Sequence, residues 1–256
     1  MIQCIWVLAA SGATLPAWNG GVAREFHQTY MLSAHGRVSL DNVNGNVRIR
    51  GWDREEIRVD AVEYASSLNK PARARILVDA CPEAVRIRTQ YDGISGDGNP
   101  NSVEYTVTVP RQARLDAITL INGGLEITGV SGDVKASSVN GRVRAVKLAG
   151  ETHLSTVNGS LEANFDRLDP RKAVALHSVN GDIRLAIPFD AHAQVNASNV
   201  MGGIDNDFGL PVDRGGFVGN RLCGSIKGGG TRIRLNNVNG SISILPMSNG
   251  KRVRFT

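Results

Sequence analysis

The charged residues with the most regular spacing are arginines that stand two positions apart. Such pairs occur at positions 48/50, 86/88, 142/144, 232/234 and 252/254. A spacing of two places both side chains on one face of a β-strand, and guanidinium groups bind phosphate and carboxylate groups through paired hydrogen bonds. Stacked pairs would form a cationic stripe, and the alternative is a solvated strand face that resists edge-to-edge aggregation. The predicted polyanion-binding residues are Arg142, Arg144, Arg232 and Arg234.

Other residue types give no pattern of a catalytic or metal site. The five histidines are scattered and lack metal-ligand spacing such as His-Glu-x-x-His. His153 and His177 would come close only if neighbouring strands carried them. No nucleophile motif of the form Gly-x-Ser-x-Gly occurs, and Gly228 to Gly230 lack a phosphate-loop context. We therefore predict a protein that is not an enzyme, without catalytic residues, metal or cofactor.

The three cysteines, Cys4, Cys81 and Cys223, show no Cys-x-x-Cys spacing. This excludes the common zinc and dithiol motifs. If a leader containing Cys4 is removed in an oxidising compartment, Cys81 and Cys223 either form a disulfide or remain two unrelated thiols.

A glycine repeat predicts the elements that position these residues. Five glycines from Gly123 to Gly159 follow one another at intervals of nine residues, and every second one belongs to an Asn-Gly turn. Similar turns recur before and after this run. Asn and Gly tolerate positive φ at low cost, so each pair predicts a turn. The predicted turn residues are Asn44, Gly45, Asn122, Gly123, Asn140, Gly141, Asn158, Gly159, Asn180, Gly181, Asn239 and Gly240.

Between the turns, apolar and polar residues alternate, as Val143 and Ala145 do against Arg142 and Arg144. This period of two is typical of strands with one buried face. The similar flanking sequences indicate that successive units stack, which would allow hydrogen bonds between stacked asparagines. We predict an all-β fold, a β-solenoid with coils of about 18–22 residues. A sandwich of ordinary hairpins is the alternative architecture.

The chain divides into three predicted parts. Residues 1–17 include an apolar run followed by small residues, which predicts an atypical or truncated signal peptide; a buried N-terminal strand is the alternative. Residues 18–110 form an irregular β region that is a cap or early coils, and residues 111–256 form the regular repeat. The two latter parts are also compatible with one continuous domain. No later stretch reaches the roughly 20 apolar residues of a membrane-spanning helix.

The charge balance limits the classes of partner. The formal net charge is +5, with 29 basic residues interspersed among 24 acidic ones. Without a dense Lys/Arg tract, this pattern favours weak attraction to polyanions over nucleic-acid binding. Envelope polysaccharide or another anionic surface polymer is the expected partner, and the oligomeric state is left open.

The combined pattern resembles a bacterial domain-of-unknown-function family labelled "putative adhesin", related to the auto-transporter adhesin head domains called GIN. The resemblance spans residues 38–244. The segments 47–53 and 107–110 and the Asn-Gly turns between 122 and 181 and at 239–240 carry it. It implies an exported, periplasmic, envelope-associated or extracellular β-solenoid with no catalytic residues to carry over.

The sequence is compatible with three functions. The first is a non-enzymatic envelope protein with a structural or surface-binding role. The second is a polysaccharide-acting β-helix enzyme, which fold analogy alone supports. The third is a sensory ectodomain with an unknown partner.

Overall fold

The computed structural model describes residues 5–8, 22–65, 74–91, 101–214, 219–248 and 251–252. In these residues the regular elements are β-strands that form two sheets. The first sheet contains, in spatial order, β1 (Ile5–Leu8), β6 (Ala74–Cys81), β7 (Ala84–Tyr91), β3 (Arg37–Asn44), β9 (Arg114–Asn122), β11 (Val134–Asn140), β13 (Thr152–Asn158), β15 (Val174–Asn180), β21 (Thr231–Asn239), β17 (Ala193–Met201), β20 (Asn220–Ile226) and β19 (Val212–Arg214). The second contains β18 (Ile204–Asn206), β22 (Ile242–Ser248), β16 (Ile183–Pro188), β14 (Leu161–Phe165), β12 (Val143–Leu148), β10 (Leu125–Thr128), β4 (Val47–Trp52), β8 (Ser102–Pro110), β5 (Glu56–Ala65) and β2 (Val22–Met31), with β23 (Lys251–Arg252) paired to β22. Within the described residues there is no helix of the length and hydropathy needed to cross a bilayer.

Most of the molecule is a stack of coils, each with one strand in either sheet. The chain runs along the first sheet, turns a corner and runs along the second. Neighbouring coils pair in parallel in both sheets, as Val134 with Thr152 and Val143 with Leu161 show. Parallel strands about 4.8 Å apart distinguish this arrangement from a sandwich of antiparallel hairpins. The predicted all-β, solenoid-like fold is therefore confirmed.

The coils do not stack in chain order. Their spatial order is β7/β8, β3/β4, β9/β10, β11/β12, β13/β14, β15/β16, β21/β22 and β17/β18. The coil formed last in the sequence lies between two earlier ones, because Asn239 pairs with Asn180 on one side and with Met201 on the other. The expectation that successive units stack is therefore wrong at both ends, because β3/β4 likewise lies between two later coils, β7/β8 and β9/β10. The intact Val-Asn-Gly copy continues the repeat, and the degraded copy at Met201 occupies the outer position, which antiparallel β20 covers.

Close stacking of the corners requires glycine at the Asn-Gly turns. A Cβ atom on Gly141 would lie 2.0 Å from the carbonyl oxygen of Gly123, and one on Gly159 would lie 2.1 Å from that of Gly141. No real side chain accommodates such a contact with backbone. At these turns positive φ occurs at glycine, as at Gly123 and Gly159, and the non-glycine residues with positive φ in the described chain are Lys147 and Lys227.

The turn asparagines form a ladder along one corner of the stack. The Nδ2 atom of each donates to the Oδ1 atom of its neighbour over 2.8–2.9 Å. The ladder joins Asn44, Asn122, Asn140, Asn158, Asn180 and Asn239 in that order. All of its hydrogen bonds point the same way, and it stops where Met201 replaces asparagine.

A second row of polar residues lies inside the same corner, and we call it the inner polar row. These residues stand two positions before the ladder asparagines and are at most 3% exposed. The row consists of Asn42, Ser138, Thr156, Ser178, Asn237 and Asn199, with Leu120 in one coil. Their side chains donate to backbone carbonyls at the corners, as Thr156 does to Gly141 and Asn199 does to Gly240. They satisfy acceptors that the apolar core cannot.

The N-terminal part is continuous with the repeat. Strand β3 pairs with β9 and strand β4 with β10, so both sheets run across the predicted boundary at Pro110, and one apolar core includes residues from both sides. The division into residues 18–110 and 111–256 stays a prediction. Within the proposed leader, Ile5–Leu8 pair with β6, which matches the alternative of an N-terminal strand; its other residues lie outside the described ones.

Cys81 and Cys223 do not form the disulfide that was one of the alternatives. Both are free thiols, one half-buried and one exposed. Cys81 lies on β6 and Cys223 on β20, near opposite ends of the first sheet. At about 4.8 Å per strand, the intervening strands separate them far beyond the roughly 7 Å limit between the Cα atoms of a disulfide.

Candidate functional site

The outer face of the second sheet carries charges of alternating sign. Arg144 on β12 lies between Glu126 on β10 and Glu162 on β14, with N–O distances of 3.2 and 3.3 Å. Nε of Arg142 donates to Oγ of Ser160 over 3.0 Å. Arg144 is thus neutralised by its neighbours along the stack and offers little free charge to an external anion.

The outer face of the first sheet is different around Arg232 and Arg234. Both lie on β21 and are exposed. Their pairing partners on β17 are Gln194 and Asn196, and Arg234 pairs with Ala175 on its other side. Neither arginine forms an ion pair with a described residue. Two guanidinium groups therefore lie among amides with their charge uncompensated.

The four predicted polyanion-binding arginines do not share one surface. Arg144 lies on β12 of the second sheet and Arg142 immediately precedes that strand, whereas Arg232 and Arg234 belong to the first sheet. These four residues therefore do not form one stripe of stacked pairs. In the second sheet Arg144 pairs with Glu126, and in the first sheet Arg232 and Arg234 pair with Gln194 and Asn196. Binding of a polyanion by either pair stays a prediction.

A shallow trough of about 240 Å³ runs along the outer face of the first sheet and leads towards these arginines. Its floor consists of small residues that pair across neighbouring strands, including Thr119, Ser137 and Ser155. Lys135 and His153 line one side of it. The trough thus offers hydroxyl groups repeated once per coil beside basic side chains.

An aliphatic row lies on the other side of the trough. It contains the residue that precedes each ladder asparagine or its replacement: Val43, Ile121, Val139, Val157, Val179, Val238 and Val200. Ile121, Val139 and Val157 are 42%, 39% and 40% exposed. These residues share a face with the hydroxyl row because they stand two positions further along the same strands.

The end of the trough near β21 is formed by His177 and Asn236. His177 pairs with Ser155 on one side and Asn236 on the other, and Oγ of Ser198 donates to Asn236 over 2.9 Å. The trough lining contains both His153 and His177 but no Asp or Glu. In the part of the chain that the structure describes, no group of three or more His, Cys, Asp or Glu residues could hold a metal ion.

Three rows of side chains in this part of the structure were not predicted from the sequence. The hydroxyl floor and the aliphatic row were not singled out, although both are readable from the tetrapeptides that precede Gly141 and Gly159. The inner polar row was also missed. Its signal was a polar residue at an inward strand position, where alternation alone predicts an apolar one.

A family model matches residues 26–245, which includes the sheets, the corner ladder and the trough. The chain belongs to the Toastrack DUF4097 family. This agrees with the resemblance to "putative adhesin" domains of unknown function, while the relation to GIN domains stays a prediction. No curated protein matches this Toastrack chain.

Solved structures of bacterial proteins are similar to the Toastrack chain. A putative cell adhesion protein from Clostridium sporogenes has 12% identity and a TM-score of 0.51, over 86% of this chain and 99% of that one. A putative adhesin from Bacteroides fragilis has 15% identity and a TM-score of 0.42, over 86% and 96% of the two chains. At such identities the first likeness supports the fold alone.

Proposed function

We propose that this Toastrack protein is an exported, non-enzymatic protein of the cell envelope that binds an acidic polymer along the outer face of its first sheet. The observation that carries the proposal is the pair Arg232 and Arg234, which lacks any described carboxylate partner. Arg234 lies beside the trough, because it pairs with Ala175 of the trough lining. The positive net charge of +5 would assist the approach of a polyanion.

The rows of the trough suit a chain of sugars that carry carboxylate or phosphate groups. Arginine binds such groups through paired hydrogen bonds, and serine and threonine hydroxyls both donate to and accept from sugar hydroxyls. The aliphatic row offers apolar surface to the C–H faces of the rings. Because the hydroxyl row continues over three neighbouring coils, about 4.8 Å apart, an extended polymer lying along the stack would meet Thr119, Ser137 and Ser155 in succession.

The competing function is a glycoside-cleaving enzyme. Such enzymes use a pair of carboxyl groups, about 5–9.5 Å apart, on either side of the scissile bond. The lining of the trough includes no carboxylate. This supports a binding role for the trough over hydrolysis there.

Removal of the free arginines is expected to weaken polymer binding selectively. The Arg232→Gln/Arg234→Gln double variant should bind immobilised polygalacturonate, a linear polymer of uronic acids, about tenfold or more weakly than the wild type, because two charge-assisted contacts are lost. The matched control is Arg48→Gln/Arg50→Gln, which removes an equally spaced pair from the outer face of the second sheet.

The measurement is equilibrium binding of the wild type and both variants at several salt concentrations, since an exposed ionic contact weakens as salt rises. Equal losses in the two variants would show that net charge, and not the trough, drives binding. Absence of wild-type binding at low salt would contradict acidic-polymer recognition. The export half is tested by cell fractionation: recovery solely from the cytosol with Met1 retained would contradict it.

A further inference from the structure

Strand β2 is the longest strand at an end of either sheet in the described chain. It has ten residues, Val22–Met31, whereas β18 and β19 at the other end have three each. It pairs with β5 without a register shift. It contains neither proline nor lysine, the residues that commonly protect an edge strand, and no bulge twists it away.

The backbone hydrogen-bonding phase of β2 determines which residues face the open edge. The amide of Leu32 donates to the carbonyl of Glu55, so the even-numbered residues of β2 exchange hydrogen bonds with β5. The N–H and C=O groups of the odd-numbered residues point away from β5. Glu25, His27 and Thr29 therefore offer their backbone groups to a further strand.

The side chains of the same odd-numbered residues lie on the outer face, where His27 contacts Asp60 over 2.7 Å and Glu25 over 3.2 Å. Arg58 completes the group through a 2.9 Å ion pair with Asp60. The carboxylates of Asp60 and Glu25, which accept hydrogen bonds from the imidazole, raise the pKa of His27. These contacts favour a positive charge on His27 two positions away from a negative one on Glu25.

A second copy of β2 can pair antiparallel with this edge in three neighbouring registers that place odd-numbered residues opposite odd-numbered residues, as the hydrogen-bonding phase requires. A two-fold axis at Glu25 would place glutamate opposite glutamate, and an axis at His27 would place histidine opposite histidine. An axis at Phe26 places Glu25 opposite His27 in both directions. Only the last of these pairs opposite charges, at the short distance of directly opposed residues.

The inner face of the strand favours the same register. Phe26 points into the core and is 8% exposed. An axis at Phe26 would bring the two Phe26 rings together at a non-hydrogen-bonded pair, where side chains come closest. Aromatic contacts of this kind add to the burial of apolar surface.

We propose that two copies of this protein associate through their β2 edges, antiparallel, with Glu25 of each copy opposite His27 of the other and the two-fold axis at Phe26. The second sheet then continues from one molecule into the next. This association is independent of polymer binding, because β2 and the trough belong to different sheets.

The test is the dimerisation constant, measured by sedimentation equilibrium on the full chain. Glu25→Lys would place lysine opposite histidine, and His27→Glu would place glutamate opposite glutamate, so each variant should weaken dimerisation about tenfold or more. A mixture of the two should restore a dimer, since the introduced lysine then faces the introduced glutamate and the remaining His27 faces the remaining Glu25. The matched control, Glu55→Lys, changes an exposed residue of the β4–β5 turn and should leave dimerisation unchanged.

Thr29→Pro provides a second variant that does not depend on charge. It removes an N–H group that points to the open edge and leaves the hydrogen bonds to β5 intact. Circular dichroism checks that each variant is folded. A monomeric wild type, or a mixture of Glu25→Lys and His27→Glu that remains as monomeric as its components, would overturn the proposal.

Discussion

Gly141→Ala is expected to destabilise the protein by about 3 kcal/mol or more, since a single methyl group would overlap the backbone of the neighbouring coil. The added Cβ atom would lie 2.0 Å from the carbonyl oxygen and 2.6 Å from the carbonyl carbon of Gly123. Backbone cannot move aside as a flexible side chain does. Relief would require two coils to separate, which would stretch parallel hydrogen bonds in both sheets. Thermal or urea unfolding measures the effect.

Two further glycines distinguish close approach from backbone conformation as the cause. Gly228 has a φ of 82° but open space around its Cβ position, and Gly203 has neither a left-handed φ nor a neighbour within 4 Å. Gly228→Ala is expected to cost about 1 kcal/mol, and Gly203→Ala should be nearly neutral. If Gly141→Ala costs no more than Gly228→Ala, close stacking does not explain the glycine repeat.

Asn42→Leu is expected to have the second largest effect, about 2–4 kcal/mol, although the two side chains are similar in size. Nδ2 of Asn42 lies 2.9 Å from the carbonyl oxygen of Val103 and 3.2 Å from that of Gly45, and its Oδ1 accepts from Thr89 over 2.9 Å. Leucine cannot form hydrogen bonds, so these two carbonyl oxygens and the Thr89 hydroxyl would remain buried without the Asn42 amide as a partner. Oγ1 of Thr89 also contacts the hydroxyl of Tyr105, so the loss would extend along the network.

The matched control for Asn42→Leu is Asn46→Leu. Asn46 also uses both ends of its amide, towards Gly124 and Glu104, but these hydrogen bonds are exposed and water can replace them. Its replacement should cost less than about 1 kcal/mol. Equal destabilisation by the two substitutions would show that the buried amide has no special role. Unfolding by urea, with unchanged slope, gives the comparison.

The sequence predicted the stack because glycine spacing and period-two alternation are both local signals. Val-Asn-Gly recurs at Asn140 and Asn158, and these residues bond to each other in the ladder. The position of the last coil was not predictable in this way. The turn sequence at Asn239 is no more similar to the one at Asn180 than to the one at Asn158. Which turn Asn239 lies beside therefore depends on long-range strand pairing.

The site was predicted only in part, for a related physical reason. Spacing of two places both arginines of a pair on one strand face, and the structure shows this for Arg232 and Arg234 on β21, whereas Arg142 immediately precedes the strand that contains Arg144. Whether a charge stays free depends on residues one coil away, such as Glu126 and Glu162 beside Arg144. These partners are 18 residues distant in sequence in either direction. No pattern within one strand reports them.

The position of β21 and β22 between two earlier coils makes completion of this part of the stack depend on a segment that is synthesised after both of its neighbours. Until residues 231–248 have been synthesised, β15 and β16 pair with β13 and β14 on one side and lack a neighbour on the other. Before then, residues 193–206 either remain separated from the stack by a gap one coil wide or pair with strands that are not their neighbours in the final fold. A nascent chain would therefore remain open at this point until that segment has been synthesised.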